Sequence, residues 1–157
     1  MSNARDLMSS PVITVSETTS LAEAAQAMLD QRIGALVVVD QLGKLTGILT
    51  ESDFAAKTRG VPFSTFRAPQ VLGKWITEKD LEDIYAAARN TPVSEVMTRR
   101  VATAGEDDTI ISVVQAMLEH DINRVPIVTD GRPVGIVARH DLLRLLAGRT
   151  ERLDPKR

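Results

Sequence analysis

The stretch Gly47-Ile48-Leu49-Thr50-Glu51-Ser52-Asp53 holds the side chains of this sequence best suited to ligand chemistry. Gly47 and the apolar pair are expected to end a strand, and Ser52 to cap the helix that follows. A helix start carries backbone N–H groups without intrahelical partners and a partial positive charge, so a phosphate is welcome beside Thr50 and Ser52. Asp53 is anionic and repels phosphate. Its carboxylate can instead accept two hydrogen bonds from a vicinal diol, which a ribose offers. Hydroxyls for phosphate and a carboxylate for sugar give a nucleotide reading. The same residues also make an ordinary helix start, with the serine capping and the aspartate complementing the dipole.

A second stretch, Gly135-Ile136-Val137-Ala138-Arg139-His140-Asp141, keeps the aspartate but has Ala138 where a hydroxyl is expected. Charge for a phosphate there must come from Arg124, Arg139 or His140, and a guanidinium suits phosphate geometry. Arg139 reads equally well as a solvated helix-start residue, and His140 as a plain cap. The first half has Gly34-Ala35 where the second has Asn123-Arg124, so two unequal sites are expected.

The two stretches belong to an internal repeat, the feature to settle before any fold assignment. Gln26-Ala27-Met28-Leu29 recurs as Gln115-Ala116-Met117-Leu118, a shift of 89 residues. The same shift pairs Met8 with Met97, Val12 with Val101, Thr14 with Thr103, Ile33 with Ile122 and Val39 with Val128. A one-residue deletion in a turn then aligns Gly47-Ile48 with Gly135-Ile136, and Asp53 with Asp141. Two units are predicted, over residues 5–59 and 91–148, with an insert at 60–90 and a basic tail at 149–157.

Each unit reads as strand, helix, strand, strand, helix. Short extended runs open them at Val12 to Val15 and Val101 to Ala104. Leu21, Ala25, Met28 and Leu29 share one helical face, as do Ile110, Val114, Met117 and Leu118. Ser20 with Glu23 fits a capping box. Ala35 to Val39 and Val125 to Val128 are β-branched runs suited to buried strands. Tight turns at Leu42-Gly43 and Asp130-Gly131 lead into the returning strands, and Ser52 and His140 open the last helices.

This doubled unit resembles a tandem pair of cystathionine-β-synthase (CBS) domains, a Bateman module. The resemblance rests on Leu7-Met8 and Val96-Met97 at the unit starts, on Asn123 to Val128, and on the Gly47 to Asp53 motif. It implies an α+β fold of two units packed about a pseudo-two-fold axis. It also implies two clefts, each combining the hydroxyl-and-aspartate motif of one repeat with apolar wall residues of the other. The ligands implied are adenosine-containing: AMP, ADP, ATP or S-adenosylmethionine. Adenine would lie against apolar strand residues such as Ile13, Ile33 and Ile48. Ala35, Ala102, Ile122 and Ile136 complete the wall positions that the resemblance suggests.

Composition narrows the alternatives. At 43% hydrophobic and 25% charged residues the chain reads as globular. It has no cysteine and only two histidines, which removes thiolate chemistry and makes a histidine-rich metal centre unexpected. A formal charge of −2 gives no electrostatic case for nucleic acid. The longest apolar run, Ala35 to Val39, is too short to span a bilayer, and residues 1–5 lack a signal-peptide core, so a cytoplasmic protein is expected. No nucleophile has a supporting base, so no catalysis is expected.

The five aromatic residues, Phe54, Phe63, Phe66, Trp75 and Tyr85, lie in or beside the insert. Gly60, Pro62 and Pro69 break it into turns, and Thr77 with Asp80 suggests a capped helix with a stripe at Leu81, Ile84, Tyr85 and Ala88. A helical flap or a packed linker both fit. Function is expected to be ligand sensing, signalled to a partner protein in trans by a homodimer that pairs through the helices carrying Ala25 and Val114. The alternative is a constitutive interaction scaffold with vestigial clefts.

Overall fold

The computed structural model describes residues 2–56, 70–71, 74–75, 82–83, 85–86 and 88–148. It is a mixed α+β structure in which two three-stranded sheets have the same topology. A short helix α1 (Ala4–Leu7) precedes β1 (Thr14–Ser16), α2 (Leu21–Gln31), β2 (Ala35–Val39), β3 (Leu45–Thr50) and α3 (Glu51–Ala56). The second unit runs β6 (Ala104–Gly105), α4 (Ile110–Glu119), β7 (Arg124–Thr129), β8 (Arg132–Ala138) and α5 (Arg139–Leu146). In each sheet the first strand is parallel to the second, and the second is antiparallel to the third.

Local chemistry explains the element boundaries. The Ser20 hydroxyl accepts the Glu23 N–H at 3.2 Å while the Glu23 carboxylate accepts the Ser20 N–H at 3.0 Å, closing the expected capping box. Thr109 caps α4 by accepting the Ser112 N–H. Asp130 and Gly131 both have positive φ, as a two-residue hairpin turn of the right twist demands. The opening strands are shorter than the sequence suggests and begin later, at Thr14 and Ala104. The residues before them run across the molecule instead.

That crossing decides the architecture. Ser9 and Ile136 exchange backbone hydrogen bonds of 2.9 and 3.1 Å, and Ile48 and Thr98 exchange two of 3.0 Å. The leading segment of each sequence repeat therefore pairs with the last strand of the other. The cores follow the same swap. Val93, Val96 and Met97 are buried with Leu21, Leu36, Val38 and Leu49. Ala4, Leu7 and Met8 are buried with Val113, Met117, Val125 and Val137. Gly47 and Gly135 make room for the crossing methionines, since a Cβ on either would lie 2.4 Å from Met97 Sδ or Met8 Sδ. At the far end the two hairpins meet, with the Leu45 N–H donating to the Gly131 carbonyl at 2.9 Å.

The insert differs from the helical expectation over its middle. Strands β4 (Gln70–Val71) and β5 (Lys74–Trp75) pair antiparallel, while residues 82–83, 85–86 and 88 are helical. Ala88 packs into the first core. Thr77, Asp80, Leu81 and Ile84, with Phe63, Phe66 and the 149–157 tail, lie outside the described residues. No helix among the described residues is long and apolar enough to cross a membrane.

Candidate functional site

The swap of leading segments creates two clefts between the repeats. The first, of about 270 Å³, takes Ile48, Thr50, Ser52 and Asp53 from one repeat. Its opposite wall is Thr98, Arg100, Val101, Ala102, Asp121, Ile122, Asn123 and Arg124. The second, of about 230 Å³, holds Ile136, Ala138, His140 and Asp141, faced by Ser9, Pro11 to Ile13, Gln31 to Ala35 and again Arg124.

The motif residues sit at helix starts, where the aspartates act as caps. Helices α3 and α5 begin at Glu51 and Arg139, one residue before Ser52 and His140. Ser52 is therefore not the cap. The aspartates close the helix starts from the third helical position: Asp53 Oδ2 accepts the Thr50 N–H at 2.8 Å, and Asp141 Oδ2 accepts the Ala138 N–H at 2.7 Å. This bond orients each carboxylate, and both aspartates are buried at 3% and 4% exposure although they line clefts. The Thr50 and Ser52 hydroxyls are joined by a 2.8 Å hydrogen bond, which presents them as a pair.

The structure separates some residues that the sequence reading grouped. Ile48 stands in the first cleft with Ala102 and Ile122, whereas Ile13, Ile33 and Ala35 line the second with Ile136. The crossing of residues 9–13 carries Ile13 there, while Ile33 just before β2 and Ala35 at its start stand on the same wall. Arg139 lines neither cleft; its side chain is exposed, and its N–H donates to the Asn123 carbonyl at 2.8 Å. Arg124, expected to compensate for Ala138, lines both clefts. Arg100 and Arg32 were not anticipated. Register alone could have drawn attention to Arg100, which stands in the segment matching Ser9 to Ile13.

Asp141 has an unusual setting. Burial pushes its carboxyl above the ordinary carboxylate value, and the Ala138 N–H, Arg144 and His140 offset only part of that effect. Arg144 is itself buried, with Nη1 3.9 Å from Asp141 Oδ1 and 3.5 Å from the Leu7 carbonyl. A diol can donate to both oxygens of the ionised carboxylate, whereas the acid turns one of them into a donor and loses the charge. Affinity in this cleft should therefore fall as pH is lowered through the raised pKa, before an ordinary aspartate would titrate. Adenosine, which has no phosphate to titrate, gives the cleanest reading when the first cleft is blocked. Titrations carried downward from neutral pH should show the weakening set in above the ordinary aspartate range. Affinity that stays constant until the pH falls below the ordinary aspartate value would remove Asp141 from the binding step.

These elements and clefts define a CBS pair. The CBS domain family model matches residues 4–59 and 93–148, so the chain belongs to that family and carries the domain twice. It is 34% identical over 144 residues to the CBS domain-containing protein YhcV of Bacillus subtilis, covering 90% of this chain and 84% of that protein. It is 33% identical over 147 residues to L-aspartate semialdehyde sulfurtransferase of Methanocaldococcus jannaschii, covering 92% of this chain but spanning only 23% of the enzyme's length. The CBS domain of a membrane protein from Sphaerobacter thermophilus superposes with a TM-score of 0.73 at 42% identity, over 92% of this chain and 88% of that one. The CBS domain pair of protein MJ0100, solved in complex with 5′-methylthioadenosine and S-adenosyl-L-methionine, gives 0.70 at 31% identity, over 94% and 98%.

Proposed function

We propose that this CBS pair is a non-catalytic regulatory module that binds an adenosine-containing ligand between its repeats and signals to a partner protein in trans. One observation carries the reading. The first cleft brings the Thr50–Ser52 hydroxyl pair, the buried Asp53 and two guanidiniums, Arg100 and Arg124, around the apolar side chains Ile48, Ala102 and Ile122. Diol, phosphate and base each find a matching surface there. The adenosine ligands of the MJ0100 pair, at 31% identity, support the same class. The two arginines favour AMP, ADP or ATP over S-adenosylmethionine. Such a sensor works where adenine nucleotides are held, in the cytoplasm. Ala138 favours the rival reading, a vestigial site, for the second cleft alone.

Thermal shift against a panel of adenosine ligands tests the proposal, because a ligand that binds only the native state raises the melting temperature. A rise with AMP or ATP at concentrations well above Kd is expected. No shift with any adenosine ligand would leave the scaffold reading in its place.

We further propose that the module is a homodimer. Leu29 on α2 and Ile111 and Leu118 on α4 are 73%, 64% and 75% exposed, and they flank Ala25 and Val114 on the same helices. Covering these apolar faces with a second copy removes them from water. Light scattering should give twice the 17.1 kDa chain mass; a single-chain mass at micromolar concentration would exclude the dimer.

A further inference from the structure

The pseudo-symmetry of the two clefts is broken by one side chain. Under the repeat register Arg124 corresponds to Ala35, the first residue of β2 as Arg124 is of β7. Ala35 lines the second cleft only. Arg124 lines the first cleft, as its place in the fold requires, and reaches over Gly34 to line the second as well. Gly34 permits this. A Cβ at residue 34 would lie 2.3 Å from Arg124 Nη2 and 3.3 Å from Glu51 Oε1, so the guanidinium and a carboxylate share the space above that glycine. Gly34 has no positive φ that would call for glycine, so the room it leaves for Arg124 is its structural contribution.

We propose that Arg124 is a single anion-binding side chain shared by both clefts, so that a phosphate-bearing ligand in either cleft weakens binding of a second such ligand in the other. The inference rests on the nucleotide reading above. One guanidinium has a fixed planar fork of donors, and a phosphate that engages it bidentately orients it toward one cleft. Of the guanidiniums, the second phosphate then meets only the exposed arginine of its own cleft, Arg32 or Arg100. Linkage makes the effect reciprocal. A neutral ligand makes no claim on the guanidinium, so adenosine should fill the two clefts independently.

Because the clefts differ in themselves, a two-step titration alone proves nothing, and the test must isolate the coupling. Ala102→Phe fills the first cleft from its wall and leaves the Asp53 cap intact; Asp53→Ala provides a second, chemically different block. Calorimetry should show AMP binding to the second cleft of either blocked protein at least about fivefold more tightly than the second step of wild type. Adenosine should show no such difference. Gly34→Ala displaces the flexible end of Arg124 from the second cleft while leaving it charged in the first, and it should abolish the AMP difference. Equal AMP affinities in blocked and wild-type protein, or a difference that survives Gly34→Ala or appears with adenosine, overturn the shared-arginine coupling alone. Wild type that binds no AMP overturns the nucleotide reading and the coupling together.

Discussion

Asp53→Ala is expected to abolish the tighter phase of AMP or ATP binding, and Asp141→Ala to alter only a weaker one. Hydrogen bonds to a charged group are worth about 1.5–3 kcal/mol, so losing those between Asp53 and a ribose diol costs roughly tenfold or more in affinity. Asp53 Oδ2 also accepts the Thr50 N–H, so the alanine variant loses a helix-start bond worth about 1 kcal/mol of stability. Asp53→Asn separates the effects: its amide oxygen can keep the cap, while its charge for the diol is gone. Titration calorimetry with melting curves on both variants decides the matter. Wild-type affinity in Asp53→Ala with weakened binding in Asp141→Ala would move the principal site to the other repeat. If neither change matters, the scaffold reading gains.

The second large effect concerns folding. A chain cut at residue 90 yields two fragments that each contain a complete sequence repeat, yet neither contains a complete core. Fragment 1–90 lacks Val93, Val96 and Met97, which are 0%, 2% and 7% exposed in the first core. Fragment 91–157 lacks Ala4, Leu7 and Met8 of the second. Each large apolar side chain contributes about 1.5–3 kcal/mol on burial, so losing two or three approaches the roughly 5–15 kcal/mol that holds a whole domain together. Circular dichroism should show no cooperative melt for either fragment alone and a restored one on equimolar mixing. A fragment that melts cooperatively by itself would contradict the swapped cores.

The repeat register and the order of elements were legible because their signals are local. The Ser20–Glu23 box, the β-branched runs of β2 and β7 and the Asp130-Gly131 turn each fix a boundary within a few residues of themselves. The crossing of the leading segments was not legible from pattern, because Ile48 meets Thr98 and Ser9 meets Ile136 across the chain. Pattern alone therefore groups Ile13 with Ile48, whereas the crossing carries Ile13 to the second cleft beside Ile33. The helix starts fall earlier than a Ser52 cap implies, because an aspartate at the third helical position caps as well as a serine before the first. Arg124 reaches the second cleft over Gly34, and no sequence pattern marks the room that a missing Cβ leaves.

A crystal structure grown with AMP tests the central claim most directly. The account predicts ligand density between the repeats, with the ribose diol on the Asp53 carboxylate, the base between Ile48 and Ala102, and the phosphate beside the Thr50–Ser52 pair and Arg124. Empty clefts at saturating AMP, or AMP seated outside both, would contradict it.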